Sequence, residues 1–200
     1  MPSHAEDLQK AFDLIDQANS GDPQVEDHQG KSAPKAVLYG QRMSQWLERV
    51  EPQASMALRL AARAQHIQRW SIPRETYPEG KKGYHQWRTA LGRFHGEKAG
   101  EILAACGFGG DLIQRVAALL RKEGLKTDPE TQTLEDVICL VFLQYELAEF
   151  ARKHDREKLV DILRKTWGKM SARGQALALA LEYPPELRAV LNSALSAKVE

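Results

Sequence analysis

Apolar residues recur at spacings of three and four along nearly all of the chain, and no segment sustains the two-residue alternation of a half-buried strand. The pattern predicts an all-α fold, built as a single compact multi-helix domain over residues 1–200. A first helix is expected from Ala5 to Asn19, with Leu8, Phe12 and Ile15 on one face, and Ser20–Ala33, rich in Gly, Asp, Gln and Pro, reads as a loop. A second helix opens at Pro34, carries Leu38, Met43, Trp46 and Leu47, and stops at Glu51-Pro52. A third is expected from Gln53 to Trp70.

The segment Ser71–Gly83 holds Pro73, Pro78, Gly80 and Gly83 and predicts a loop of about a dozen residues, long for a helical domain. A fourth helix is expected from Tyr84 to Cys106, ended by Gly107–Gly110, and a fifth from Leu112 to Glu123. The sixth, Leu134–His154, is apolar nearly all round at its start and reads as central. A seventh (Glu157–Met170) and short helices after Ser171, broken at Pro184-Pro185, complete the pattern.

Three places on these helices carry candidate chemistry. On the third, Arg59, Arg63, His66 and Trp70 share a stripe with Arg69 beside them, a set suited to a phosphate and a flat group. A surface stripe anchored by Trp70 explains the spacing equally well. On the fourth, Arg88, Gly92 and His95 share a face distinct from the Trp87, Leu91, Phe94 core stripe. Gly92 and Gly96 in a helix interior suggest a close approach by another helix or a ligand. On the sixth, Glu135 and Asp136 lie near the start. There Thr133 as N-cap with Asp136 three residues on reads first as a capping box.

Composition narrows the classes. With 28 Lys+Arg against 27 Asp+Glu and 42% apolar residues the chain is an ordinary globular one, neither disordered nor low-complexity. No apolar run approaches the roughly 20 residues of a membrane span, and Met1–Gln9 is polar and acidic, so a cytoplasmic protein is expected. Cys106 and Cys139 sit in helix-like patterns and read as small core residues of a reducing compartment. The charge is uneven, because Ala54–Gly100 carries nine Lys/Arg against three Asp/Glu together with three of the six histidines. An anionic partner would be most at home there. Phosphate-binding glycine loops, nucleophile elbows and H-E-x-x-H are absent, which argues against nucleotide kinases, classical hydrolases and zincins.

The strings LAARAQHIQRWSIPR (60–74), GYHQWRTALGRFH (83–95), KTDPETQTLEDVICLVFL (126–143) and KHDREKLVDILRKTWGKMS (153–171) resemble the conserved blocks of domain of unknown function family 4202, over roughly residues 5–180. A more distant likeness links Ala61–His66, the helix with His95 and the Glu135-Asp136 opening to HD-domain phosphohydrolases. That resemblance implies an HD-like fold and one or two divalent metal ions, with His66, His95 and Asp136 as metal ligands and catalytic groups. The chain departs from the HD pattern at Ile67, where the bridging aspartate would stand, and around Tyr39–Arg42, where a first histidine would. A single ion or a metal-free pocket then stays open.

Together these imply binding, and in the HD-like case hydrolysis, of a nucleotide-like phosphate compound. Arg63, Arg69 and Arg88 would neutralise phosphate, Trp70 or Trp87 would stack, and Arg74 would reach the ligand from a lid formed by 71–83. His95, titrating near ~6.5, would give binding a pH dependence. The alternative is a non-catalytic helical module that binds RNA or a protein through the basic 54–100 surface. The pI near 7.8 is low for a dedicated nucleic-acid binder.

Overall fold

The computed structural model describes residues 4–196, so Met1–Ser3 of the polar amino-terminal segment lie outside it. About 73% of the described residues are helical. Contacts cluster into two compact units, one ending at Leu134 and one beginning at Glu135. The boundary falls inside a continuous helix with no linker composition to mark it.

The first unit opens with α1 (His4–Asn19), α2 (Lys35–Val50) and α3 (Met56–Ala64). It continues with α4 (Gly80–Ala105), α5 (Gly110–Leu120) and the start of α6 (Pro129–Val141). Ile15, Met43, Leu58, Leu60, Leu91, Leu103 and Leu119 are almost completely excluded from solvent and form its core. Two close approaches depend on glycine. A Cβ on Gly40 of α2 would come within 2.8 Å of the Arg63 carbonyl oxygen, and one on Gly96 of α4 within 3.3 Å of Ala117 Cβ on α5.

The predicted 20–33 loop contains a small hairpin, β1 (Val25–His28) paired antiparallel with β2 (Lys31–Pro34) in the register Val25↔Pro34. Gln29 and Gly30 both take positive φ, 56° and 76°, as a two-residue primed turn requires. A bidentate Arg42–Glu26 pair ties it to α2. The strands lack apolar alternation, so their sequence gave no strand signal.

The third helix ends at Ala64 instead of Trp70. The buried Asn19 side chain accepts a hydrogen bond from the Gln68 N–H at 2.8 Å, and Gln68 adopts φ 47°, which no α-helix tolerates. A tertiary contact thus overrides the periodicity. The fourth helix begins at Gly80, four residues before Tyr84, after two 3-10 turns (Arg69–Ser71 and Arg74–Thr76). Its end is a Schellman cap: Gly107 at φ 86° donates to Ala104 O and Phe108 N–H to Leu103 O. The sixth helix starts at Pro129, not Leu134, because Asp128 accepts from the Glu130 and Thr131 N–H groups. The Thr133–Asp136 capping box is therefore not formed.

The second unit takes the end of α6, a π-helical turn at Phe142–Glu146, α7 (Leu147–Lys153), α8 (Arg156–Trp167), α9 (Ala172–Leu179) and α10 (Pro185–Ser196). Asp155 and Ser171 cap α8 and α9 through side-chain hydrogen bonds. Leu159, Leu163, Val190 and Leu191 are buried within this unit. Cys139 is buried as expected, whereas Cys106 is half-exposed at the end of α4, and among the described residues neither is in a disulfide. No helix among the described residues is long and apolar enough to cross a membrane.

Candidate functional site

A cavity of about 270 Å³ opens in the first unit between α4 and the end of α5. From α4 come His85, Arg88, Thr89, Leu91, Gly92, Arg93 and His95, and Leu120, Arg121 and Lys122 close it at the end of α5, with Gln65 from just after α3. The i, i+4, i+7 spacing of Arg88, Gly92 and His95 aligns them along this wall. Gly92 keeps the wall thin, since a Cβ there would meet Arg121 Cα and the Leu120 carbonyl oxygen at 3.4 Å. Among the described residues no Asp or Glu lines the cavity.

Its electrostatics follow from that lining. Arg88 makes no hydrogen bond or ion pair among the described residues. Arg121 pairs with Glu123 at 2.6 Å. His95 is 2% exposed, and burial, then the Arg69 and Arg88 guanidinium groups, push its pKa down to about 3. Its imidazole is neutral at physiological pH, not the titrating group the sequence suggests. Two buried polar atoms of the wall, His95 Nε2 and Gln65 Oε1, have no hydrogen-bond partner among the described residues. Such atoms are uncommon in native interiors, and each leaves a desolvated polar group unsatisfied.

His66 lies beside this wall, its ring centroid 6.1 Å from that of His95. It stacks on Tyr39 at 3.8 Å and 16°, and its Nε2 is 3.4 Å from Arg69 Nη1. Burial, and after it Arg69, His95, Arg88 and Lys122, hold the His66 pKa well below its usual value. The Arg69 guanidinium also lies 4.6 Å from the centre of the Trp87 ring, whose Nε1 donates to Ile72 O.

The other predicted residues are engaged elsewhere. Arg63 forms a bidentate pair with Asp16 and lies over the Phe12 ring, so it neutralises a carboxylate of its own chain. Trp70 turns toward Gly21 because α3 has already ended. Arg74 donates to Tyr77 O and Pro78 O and holds its own loop together. No residue of 71–83 lines the cavity, so this segment does not form its lid. Asp136 belongs to the second unit, where it is buried and accepts from the Ser171 N–H at 2.8 Å and from the Ser171 hydroxyl.

This arrangement does not suit the metal ion that the HD resemblance implies. Among the described residues no three His, Cys, Asp or Glu side chains are grouped to hold a metal. His66 Nε2 faces a guanidinium and the Asp136 carboxylate is occupied by Ser171. Among the wall residues that the sequence pattern does not single out are Gln65, Arg93, Arg121 and Lys122. Nothing in the sequence distinguishes Gln65 from any other polar residue of a helix, or Arg121 and Lys122 from ordinary cations near a helix C-terminus.

Fold and pocket define the class as a helical protein with a cation-walled, carboxylate-free cavity. The chain belongs to the family described as domain of unknown function DUF4202, whose profile matches residues 9–191. No curated protein and no solved structure matches it.

Proposed function

We propose that the first unit binds a phosphate-bearing small molecule in the cavity between α4 and α5. The observation that carries this reading is the wall itself: Arg88, Arg93, Arg121 and Lys122 converge on one cavity with no lining carboxylate among the described residues. Guanidinium forks match phosphate oxygens, and an array of fixed cations holds its charge at any physiological pH. His95 adds a neutral group that can share a hydrogen bond with the ligand.

Binding is better supported than HD-type hydrolysis. A histidine with a pKa of about 3 is a weak general base at neutral pH. The cavity supplies no carboxylate to replace it, and Asp136 serves the cap of α9. A basic surface for RNA is also less well supported, since Arg59, Arg63 and Arg74 all spend their guanidinium groups on acceptors within the chain.

Calorimetric titration with inorganic phosphate and pyrophosphate at low salt tests the proposal. Saturable binding is expected. Arg88→Ala should weaken it roughly tenfold or more, as expected for a lost charge-assisted hydrogen bond of about 1.5–3 kcal/mol. Absence of binding by either anion, or an Arg88→Ala protein that binds as tightly as the parent, would overturn it.

A further inference from the structure

Building on the phosphate-site reading, we infer that the ligand is a hydroxylated, non-aromatic phosphate ester of the sugar-phosphate or polyol-phosphate class. Three observations point away from a nucleotide. Among the described residues the wall contains no Phe, Tyr or Trp on which a base could stack. The nearby rings are already covered, since the Trp87 face lies under Arg69 at 4.6 Å and Tyr39 is stacked by His66 at 3.8 Å. The volume, about 270 Å³, falls just below the roughly 300–1,000 Å³ of sites for drug-sized ligands.

The unpartnered atoms say what the rest of the ligand is. Gln65 Oε1 requires a donor, and His95 Nε2 requires a donor or an acceptor according to which ring nitrogen carries the proton. A hydroxyl group supplies both and therefore suits either tautomer. Neighbouring hydroxyls on a short carbon chain or ring would satisfy Gln65 and His95 while the phosphate meets Arg88 and Arg93. An apolar or purely acyl ligand would leave Gln65 Oε1 unsatisfied, because it offers no donor.

The test is calorimetric titration of the whole chain with inorganic phosphate, glycerol 3-phosphate, ribose 5-phosphate, glucose 6-phosphate and AMP. At least one of the three hydroxylated esters should bind tenfold or more tighter than inorganic phosphate, and AMP should bind more weakly than that ester. Gln65→Met, of similar shape but without the acceptor, should bring the preferred ester down towards the affinity of inorganic phosphate. Deoxy analogues of the preferred ester, titrated into the unaltered protein, should show the same loss and do not depend on how the variant folds. If inorganic phosphate binds but no ester exceeds it, or AMP binds tightest, or deoxy analogues lose nothing, the hydroxyl inference is overturned and the phosphate site stands. If no phosphate compound binds at all, the phosphate-site reading fails and this inference with it.

Discussion

At the scale of single residues, charge is sorted by whether a partner exists within the chain. Arg63 is matched by Asp16, Arg42 by Glu26 and Arg115 by Asp128 and Glu130, whereas Arg88 faces the cavity with no hydrogen bond or ion pair among the described residues. Removing Arg88 therefore costs the fold little. Arg88→Ala is expected to change unfolding free energy by no more than about 0.5 kcal/mol while losing phosphate affinity, a separation that parallel denaturant and binding titrations would show. Asp136 behaves oppositely. Its buried carboxylate holds Ser171, and Ser171 Oγ in turn accepts the Gly174 N–H to cap α9. Asp136→Ala should cost about 1–3 kcal/mol, read as a lower denaturant midpoint with phosphate binding retained. A variant as stable as the parent would contradict this structural role.

At the scale of elements, the helical periodicity was enough to locate most helices, because Leu38, Met43, Trp46 and Leu47, or Trp87 and Leu91, repeat where a buried face demands them and are buried. What it could not convey were features set by partners distant in sequence. The break after Ala64 depends on Asn19, 49 residues from Gln68, and the hairpin is held by Glu26 reaching Arg42. The same break redirects Trp70 and leaves Gln65 in the cavity wall, so only the α4 part of the site, Arg88 and His95, was legible as a face. The glycines of α4 were readable as contact points, and α5 meets them. Gly40 does the same for α2. Gly40→Ala would set a methyl 2.8 Å from a backbone carbonyl oxygen that cannot swing away, and a loss of about 1–3 kcal/mol is expected in thermal or denaturant unfolding. An unchanged midpoint would mean that α2 and α3 are free to move apart. Gly83 is more restrictive, because a Cβ there would lie 1.8 Å from Pro78 O, so Gly83→Ala should unravel the first turn of α4 and reduce helical circular dichroism.

At the scale of the whole molecule, two histidines held neutral in the folded state link stability to pH. The folded His95 has a pKa of about 3 and that of His66 is also well lowered, against an unfolded value of 6.5. Below pH 6.5 the unfolded chain therefore binds protons that the folded chain refuses. Stability should be full above pH 6.5 and fall as the pH drops, by up to about 1.4 kcal/mol per pH unit for each histidine, until the folded pKa is reached. Carboxylates act lower: Asp128, held down to about 2 by its hydrogen bonds from Arg115, loses its contribution only below its ordinary 3.8. Between pH 6.5 and about 4.5 the slope thus belongs largely to the histidines. His95→Leu removes one of them together with a buried nitrogen that has no partner, so it should flatten the slope between pH 7 and 5, by denaturant unfolding, without the penalty that usually follows loss of a buried polar group. A slope equal to the parent's would show that His95 is already protonated in the folded protein and that the cations around it are screened.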